Sequence, residues 1–270
     1  MIEPLVIGAV AYTPNVVPIW GGLRDYFAGS DAPIDFVLFS NYARQVDTLL
    51  AGHIDIAWNT NLAYVRTVRH TGGTCRALAM RDTDTTFSTV FVGRAGSGMS
   101  GPASLKGKRL ALGSADSAHA AILPLHYLRV AGVDDADLQL IRFDTDIGKH
   151  GDTGASELDA IGAVLAGEAD AAAIGISTWE SIGRDELMPG ALEEVWQTEQ
   201  YCHCMFTALG TLPRERWQPW VTTLFAMDWA RPEHRRILEL EGLRRWVPPR
   251  LDGYRTLFGA VAEQGIDASW

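Results

Sequence analysis

Two stretches of the sequence share one pattern: VDTLLAGHIDIA at residues 46–57 and LDAIGAVLAGEADAA at residues 158–172. Each begins with apolar residues at helical spacing. A glycine then ends the predicted helix in the left-handed conformation, and an aspartate three residues later opens a buried strand. Two copies of this helix–Gly-x-x-Asp-x-Ala pattern predict two similar α/β lobes. A coincidence between two ordinary helix–strand connections is the alternative.

Short apolar runs alternate with amphipathic stretches on both sides of these copies. Strands are predicted at Leu5–Val10, Ile34–Phe39, Ile54–Trp58, Thr74–Ala79, Thr86–Gly93, Arg109–Gly113, Leu138–Phe143, Ala169–Ile174 and Val195–Thr198. Helices are predicted at Ile19–Ala28, Ala43–Ala51, Ala63–His70, Ala118–Val130, Glu157–Ala166, Pro213–Asp228, Pro232–Leu240 and Arg250–Gln264. This alternation predicts an α/β fold with mixed, mostly parallel sheets. Lobe 1 is expected to comprise residues 1–88 plus 205–270 with the C-terminal helices, and lobe 2 residues 89–204.

The composition excludes several classes of partner. The chain has 270 residues and a formal net charge of −10, without a block of Lys or Arg. Nucleic acid is therefore an unsuitable partner, because binding to a phosphate backbone needs clustered cations. No apolar run approaches the roughly 20 residues of a membrane-spanning helix. A small anion remains a suitable ligand, since local hydrogen-bond donors decide its binding.

The N-terminus and the cysteines bear on the compartment. Met1 leads directly into the first predicted strand, without a charged region and cleavage site of an export signal. Cys75, Cys202 and Cys204 are more typical of a reducing compartment than of a disulfide framework. The sequence as it stands predicts a cytoplasmic protein; a mature form that has lost its leader would be periplasmic.

The candidate ligand-binding residues follow the predicted strands. In open parallel sheets, ligands lie beyond the carboxyl ends of the strands, where the N–H groups of helix N-termini point. Hydroxyl, amide and imidazole groups occupy several of these positions, namely Tyr12, Tyr42, Asn59, Ser114, Ser117, His119, His150 and Asp152. Any single one of these residues, such as Ser117, is better explained as a helix cap. The convergence of several polar loops on one cleft favours an oxyanion site.

The sequence resembles one known family. The stretches that carry the resemblance are Pro18–Trp20, Asn41–Gln45, Asp55–Asn59, Gly113–His119, Gly148–His150 with Asp152, and Gly167–Ala172. They are similar to the phosphonate-binding subunits of ABC transporters. That resemblance implies the type II periplasmic-binding-protein fold, two lobes that close by a hinge on a phosphonate-like oxyanion or carboxylate, and an ABC permease as partner if the protein is exported. It also places Tyr12, Tyr42, Asn59, Ser114, Ser117, His150 and Asp152 near the ligand.

The segment Cys202-His203-Cys204 suggests a second hypothesis. With His119 or His150, its soft ligands could hold Zn²⁺ or Fe²⁺. In a regular strand, however, Cys202 and Cys204 would share one face and His203 would lie on the other. In layout the chain is also similar to cytoplasmic enzymes of this fold, certain menaquinone-pathway lyases and the yeast-type pyrimidine phosphate synthase of thiamine biosynthesis. In such an enzyme, His150 would be a general acid or base and Asp152 its orienting carboxylate, or both would be metal ligands.

Overall fold

A computed structural model of the protein describes residues 2–183 and 190–269. The strands of this part of the chain are β1 Leu5–Val10, β2 Ile34–Phe39, β3 Ile56–Asn59, β4 Arg76–Arg81, β5 Thr89–Arg94, β6 Arg109–Leu112, β7 Gln139–Arg142, β8 Ala171–Gly175, β9 Leu192–Gln197, β10 Met205–Ala208 and β11 Trp246–Val247. The helices are α1 Val16–Phe27, α2 Tyr42–Leu50, α3 Asn61–His70, α4 Leu123–Val130, α5 Ala155–Ala166, α6 Ile176–Gly183, α7 Arg214–Phe225, α8 Pro232–Leu240 and α9 Arg255–Glu263. Within the described residues, no helix is both long and apolar enough to cross a membrane.

The chain folds into two compact units. The first contains the residues up to Thr86 together with Cys202–Tyr254, and the second contains Phe87–Tyr201 together with the residues from Arg255 onward. These boundaries lie within a few residues of the predicted lobes. The C-terminal helices differ from the prediction, because α9 belongs to the second unit instead of the first. It packs there against α4: Glu263 of α9 accepts a hydrogen bond from Arg129 and contacts His126 of α4.

The first unit is built on a six-stranded sheet in the order β11-β4-β10-β3-β1-β2. β1 pairs in parallel with β2 and β3, whereas β10 runs antiparallel to β3 and β4. Apolar side chains of α1, α7 and α8 cover one face, with Trp20, Phe27 and Trp220 among the buried residues. Residues on β1 such as Ile7 are fully buried, which agrees with the continuous apolar run in the sequence.

The second unit is built on a five-stranded sheet in the order β7-β6-β8-β5-β9. β6 pairs in parallel with β7 on one side and β8 on the other. β5 runs antiparallel to β8 and β9. The carboxyl ends of β6, β7 and β8 therefore lie at one edge of the sheet, and their loops begin side by side. In α/β proteins this is the edge where ligands bind.

The structure confirms that the two quoted stretches are equivalent. Gly52 and Gly167 both adopt a positive φ, 73° and 77°, at the ends of α2 and α5. Asp55 then accepts a hydrogen bond from the N–H of Val6 (2.7 Å). Asp170 likewise accepts one from the N–H of Arg109 (2.8 Å). In both units, the aspartate joins the start of the third parallel strand to the start of the central one.

Three described elements were absent from the sequence prediction. The short strand β10 directly follows the Cys202–Cys204 segment, whose polar side chains interrupt the apolar run expected of a buried strand. β11 has two residues, too few for a periodic signal. α6 follows β8 directly, and among its residues Ile182 is the buried one, so its helical periodicity is weak.

Candidate functional site

Two neighbouring loops of the second unit bring candidate residues together. The first leaves β6 at Gly113 and leads into a π-helical turn, Ala118–Ile122, that continues as α4. The second leaves β7 at Phe143 and leads into α5 at Ala155. Because β6 and β7 pair in parallel, both loops start at the same edge of the sheet. Single π-helical turns of this kind are frequent at functional sites.

The serines of the first loop organise its backbone. Ser117 is the N-cap of the helical turn, where its Oγ accepts a hydrogen bond from the N–H of Ala120 (3.2 Å). Ser114 Oγ accepts one from the N–H of Asp146 (2.8 Å) in the second loop. Both serines are fully buried. The N–H groups at the start of the turn, such as that of Ala118, have no acceptor within the helix and carry the positive end of its dipole.

The second loop folds around Asp146, which is 2 % exposed. Its Oδ2 accepts a hydrogen bond from the N–H of Ser156 (2.9 Å), and its Oδ1 accepts one from the hydroxyl of Thr153. With its own N–H donated to Ser114, Asp146 joins the second loop to the first loop and to the start of α5. This carboxylate therefore holds the shape of the site.

His150 and Asp116 face each other across the two loops. His150 Nε2 lies 4.0 Å from Asp116 Oδ2, which accepts a hydrogen bond from the N–H of Gly148 (2.6 Å). Among the described non-glycine residues, His150 alone has a positive φ, 55°. Burial raises the pKa of Asp116 to about 6, with smaller contributions from the carboxylates of Asp144 and Asp146. Around pH 6, Asp116 therefore changes from a proton donor to an acceptor.

Gly151 brings the second loop close to Ser117 and His119. It has a φ of 85°, and a methyl group on its Cα would lie 2.5 Å from Ser117 Oγ and 3.1 Å from His119 Cε1. Such distances leave room for glycine alone. The loop that carries His150 and Asp152 is therefore packed directly on the start of the π-helical turn.

His119 forms a buried ion pair with Glu157. The two side chains are 5 % and 3 % exposed, and His119 Nε2 lies 3.6 Å from Glu157 Oε1. Glu157 also accepts hydrogen bonds from the N–H of Gly175 and from the hydroxyl of Thr178 (2.6 Å). Burial is the largest single effect and lowers the pKa of His119, but the charge and hydrogen bond of Glu157, together with the charges of Asp152 and Asp146, raise this pKa overall. Burial also has the largest single effect on Glu157 and raises its pKa, but the charge of His119 and the hydrogen bonds from His119, Thr178 and Gly175 together lower this pKa overall.

The remaining ligand-binding candidates belong to the first unit. Tyr12 follows β1 and packs half-buried against the core, and Tyr42, the first residue of α2, is 1 % exposed. Asn59 ends β3 and is fully buried. Its Oδ1 accepts a hydrogen bond from Gln45 (2.8 Å) and its Nδ2 donates one to Thr67 (3.3 Å). The amide of Asn59 thereby joins α2 to α3.

In the structure, His203 and Cys204 lie together, whereas Cys202 of the predicted group lies apart from them. Cys204 Sγ lies 3.1 Å from His203 Nδ1, and that nitrogen lies 3.5 Å from Asp84 Oδ1. Cys202 Sγ lies elsewhere and donates to the carbonyl of Arg250 (3.3 Å). The alternation expected of a regular strand does not apply to this segment, because β10 begins only after Cys204.

Several residues of these clusters were not singled out in the sequence. Asp116 and Asp146 lie inside the two polar loops that follow predicted strands, so loop position was an available signal. Glu157 was placed at the start of a helix, and its pairing with His119 depends on tertiary contact. Asp84 lies far from Cys204 in sequence, in a segment without a recognisable pattern.

In each of the two α/β units, polar loops follow the carboxyl ends of parallel strands. This arrangement is typical of two-lobed substrate-binding proteins. A profile of the family described as "ABC transporter, phosphonate, periplasmic substrate-binding protein" matches residues 9–254. The chain belongs to this family. It is accordingly a substrate-binding protein of the ABC-transporter type, a class that captures small ligands, and its family is periplasmic.

Individual relatives agree with the family assignment. The probable ABC transporter phosphite-binding protein PhnD1 of Prochlorococcus marinus is 23 % identical over 238 residues, which span 84 % of this chain and 77 % of the relative. Its structure with methylphosphonate has a TM-score of 0.76 and covers 97 % and 98 % of the two chains at 21 % identity. The ATP-bound XAC2383 of Xanthomonas citri is 16 % identical, with a TM-score of 0.74 over 99 % of each chain. The aliphatic sulphonate-binding protein SsuA of Escherichia coli is 17 % identical, with a TM-score of 0.69 over 98 % and 94 % of the chains.

The family and these folds confirm the predicted periplasmic-binding-protein fold and the predicted capture of a small ligand. They favour ligand capture over the alternative of a cytoplasmic enzyme.

Proposed function

We propose that the ligand is a small tetrahedral oxyanion of the phosphonate type, bound by the loops at residues 113–119 and 143–154 of the second unit. The observation that carries the proposal is the Ser117-capped turn, which lies beside the ion-paired His119 and the loop of His150. Helix N-termini bind oxyanions through their N–H groups and dipole. The methylphosphonate complex of PhnD1 supports this ligand class. Delivery to an ABC permease in the periplasm is the corresponding role.

Asp116 favours a phosphonate or phosphite over a sulfonate. A monoanionic phosphonate keeps a P–O–H group that can donate to a carboxylate, whereas an ionised sulfonate has no proton to donate. A carboxylate that faces the ligand therefore repels a sulfonate without compensation. Because Asp116 lies next to His150 and to the N–H of Gly148, it is positioned to make this distinction.

Calorimetric titration of the whole protein with methylphosphonate, phosphite and methanesulfonate at pH 7.5 tests the proposal. We expect methylphosphonate or phosphite to bind at least tenfold more tightly than methanesulfonate. Ser117→Ala and His150→Ala should each weaken binding about tenfold or more, since a hydrogen bond to a charged group contributes roughly 1.5–3 kcal/mol. Each variant should keep the far-ultraviolet circular dichroism of the wild type.

His126→Ala is the matched control. This histidine lies in the same unit but outside the two loops, and it pairs with Glu263 (2.6 Å) on α9. It should leave the affinity for methylphosphonate unchanged. Wild-type affinity in both Ser117→Ala and His150→Ala would refute the site, and a preference for methanesulfonate would refute the ligand class.

A further inference from the structure

A buried cluster of the first unit has the composition of a metal site. Asp84, His203 and Cys204 are 1 %, 4 % and 3 % exposed. One ligand atom from each lies within 4.8 Å of those from the other two. Thiolate, imidazole and carboxylate are the three ligand types that Zn²⁺ binds in proteins. All of its residues belong to the first unit, whereas the proposed anion-binding loops belong to the second.

The distances fit a tetrahedral ion. With bonds of roughly 2.3 Å to sulfur and 2.0 Å to nitrogen and oxygen, neighbouring ligand atoms lie roughly 3.3–3.6 Å apart. Cys204 Sγ and His203 Nδ1 are 3.1 Å apart, and His203 Nδ1 and Asp84 Oδ1 are 3.5 Å apart. These two distances are within a few tenths of an ångström of the values around one ion, and Cys204 Sγ and the Asp84 carboxylate lie within 4.8 Å of each other.

The backbone holds the consecutive ligands on one side. The N–H of His203 donates to the carbonyl of Asp84 (3.0 Å), and the Tyr254 hydroxyl donates to the carbonyl of His203 (3.0 Å). This conformation precedes the regular strand β10, in which neighbouring side chains would point to opposite faces. His203 and Cys204 can therefore reach the same point.

Charged neighbours complete the cluster. Arg81 donates to both carboxylate oxygens of Asp84 (2.6 and 2.9 Å) and lies 3.6 Å from Glu241 Oε1. These contacts orient the carboxylate, as outer residues do around metal ligands. The carboxylates of Asp84 and Glu241, a Cys204 thiolate and the Arg81 guanidinium sum to a charge of −2. A divalent cation would neutralise the cluster.

We propose that Asp84, His203 and Cys204 form a Zn²⁺ site in the first unit. Cobalt is a suitable probe, because a Co²⁺–thiolate bond gives a charge-transfer absorption band. Titration of the reduced, chelator-treated protein with Co²⁺ should give this band at one equivalent, and Zn²⁺ should displace the cobalt. Cys204→Ser should abolish the band and weaken Zn²⁺ binding at least 100-fold.

The other two cysteines provide matched controls. Cys202→Ser and Cys75→Ser should keep the band and the affinity for Zn²⁺, since neither thiol belongs to the cluster. Absence of the thiolate band in the wild type, or equal loss in Cys202→Ser and Cys204→Ser, would overturn the proposal. A second measurement needs no variant: Zn²⁺ should slow alkylation of Cys204, read by peptide mass spectrometry, and equal alkylation with and without Zn²⁺ would also overturn it.

Discussion

Asp116 is the residue whose charge state should most directly affect the proposed anion site. Its pKa is raised to about 6, mainly by burial, and within the described residues its Oδ1 is buried without a hydrogen-bond partner. A carboxyl group whose pKa is higher in the folded than in the unfolded protein stabilises the fold below its unfolded pKa, near 3.9. That contribution is lost as the pH rises towards 6. Above pH 6, the folded protein therefore contains an unfavourable buried charge.

Asp116→Asn should remove this penalty. The variant should unfold at a higher temperature than the wild type at pH 7.5, by a stability difference of about 2 kcal/mol, and at a similar temperature at pH 4. Thermal unfolding of the ligand-free proteins between pH 4 and 8 measures the difference. Equal unfolding temperatures throughout that range would show that Asp116 ionises normally.

Methanesulfonate, which has no proton to donate, should also bind the variant more tightly at pH 7.5.

Among the strands, the two equivalent aspartates each join the start of one parallel strand to the start of the central strand of its sheet. Asp170 accepts from the N–H of Arg109 and also bonds its guanidinium (2.8 Å), and Asp55 makes the equivalent backbone bond to Val6. Removing either carboxylate leaves a strand N–H without its acceptor. We expect Asp170→Ala and Asp55→Ala each to lower the free energy of unfolding by about 1–2 kcal/mol.

Chemical denaturation of the two variants tests this equivalence. Asp25→Ala is the comparison, because Asp25 is 80 % exposed and its contact with Arg24 is 3.9 Å long. Exposed pairs of this kind contribute roughly 0–1 kcal/mol, so this variant should change stability little. If Asp25→Ala destabilised the protein as much as the two strand variants, the shared role of Asp55 and Asp170 would be refuted.

Many of the strands and helices were predictable from the pattern of apolar residues. β1 and β2 were predicted with their observed ends, because apolar runs between polar loops mark the strands of an α/β sheet, although β2 lies at the edge of its sheet and exposes Asp35 and Val37. The position of α9 was not predictable, because it depends on contacts of Glu263 and Gln264 with distant residues of α4 and the turn before it. The loop positions of Ser117 and His150 followed from strand order. The pairing of Asp84 with His203 did not, since no local pattern links residues so far apart.

For the molecule as a whole, charge opposes the capture of an anion. The formal net charge is −10, and the two proposed binding loops carry carboxylates at Asp116, Asp144, Asp146 and Asp152. Lys149 is the one lysine of these loops and His119 is already paired with Glu157, so negative charges outnumber positive charges at the proposed site. Binding must therefore depend on short-range N–H, hydroxyl and imidazole donors. This arrangement is the opposite of electrostatic steering, in which a cleft of opposite charge speeds association.

The salt dependence of association should reveal this repulsion. The screening length falls from about 30 Å at 0.01 M ionic strength to about 8 Å at 0.15 M. Added salt should therefore weaken the repulsion and raise the association rate constant of methylphosphonate, measured by stopped-flow tryptophan fluorescence. Sodium gluconate and sodium chloride should be compared, because chloride alone could compete for an anion site. Asp116→Asn should show a smaller increase with salt than the wild type, since it lacks one of the repelling charges. A rate constant that fell with both salts would mean that a positive local field outweighs the net charge and attracts the ligand from a distance.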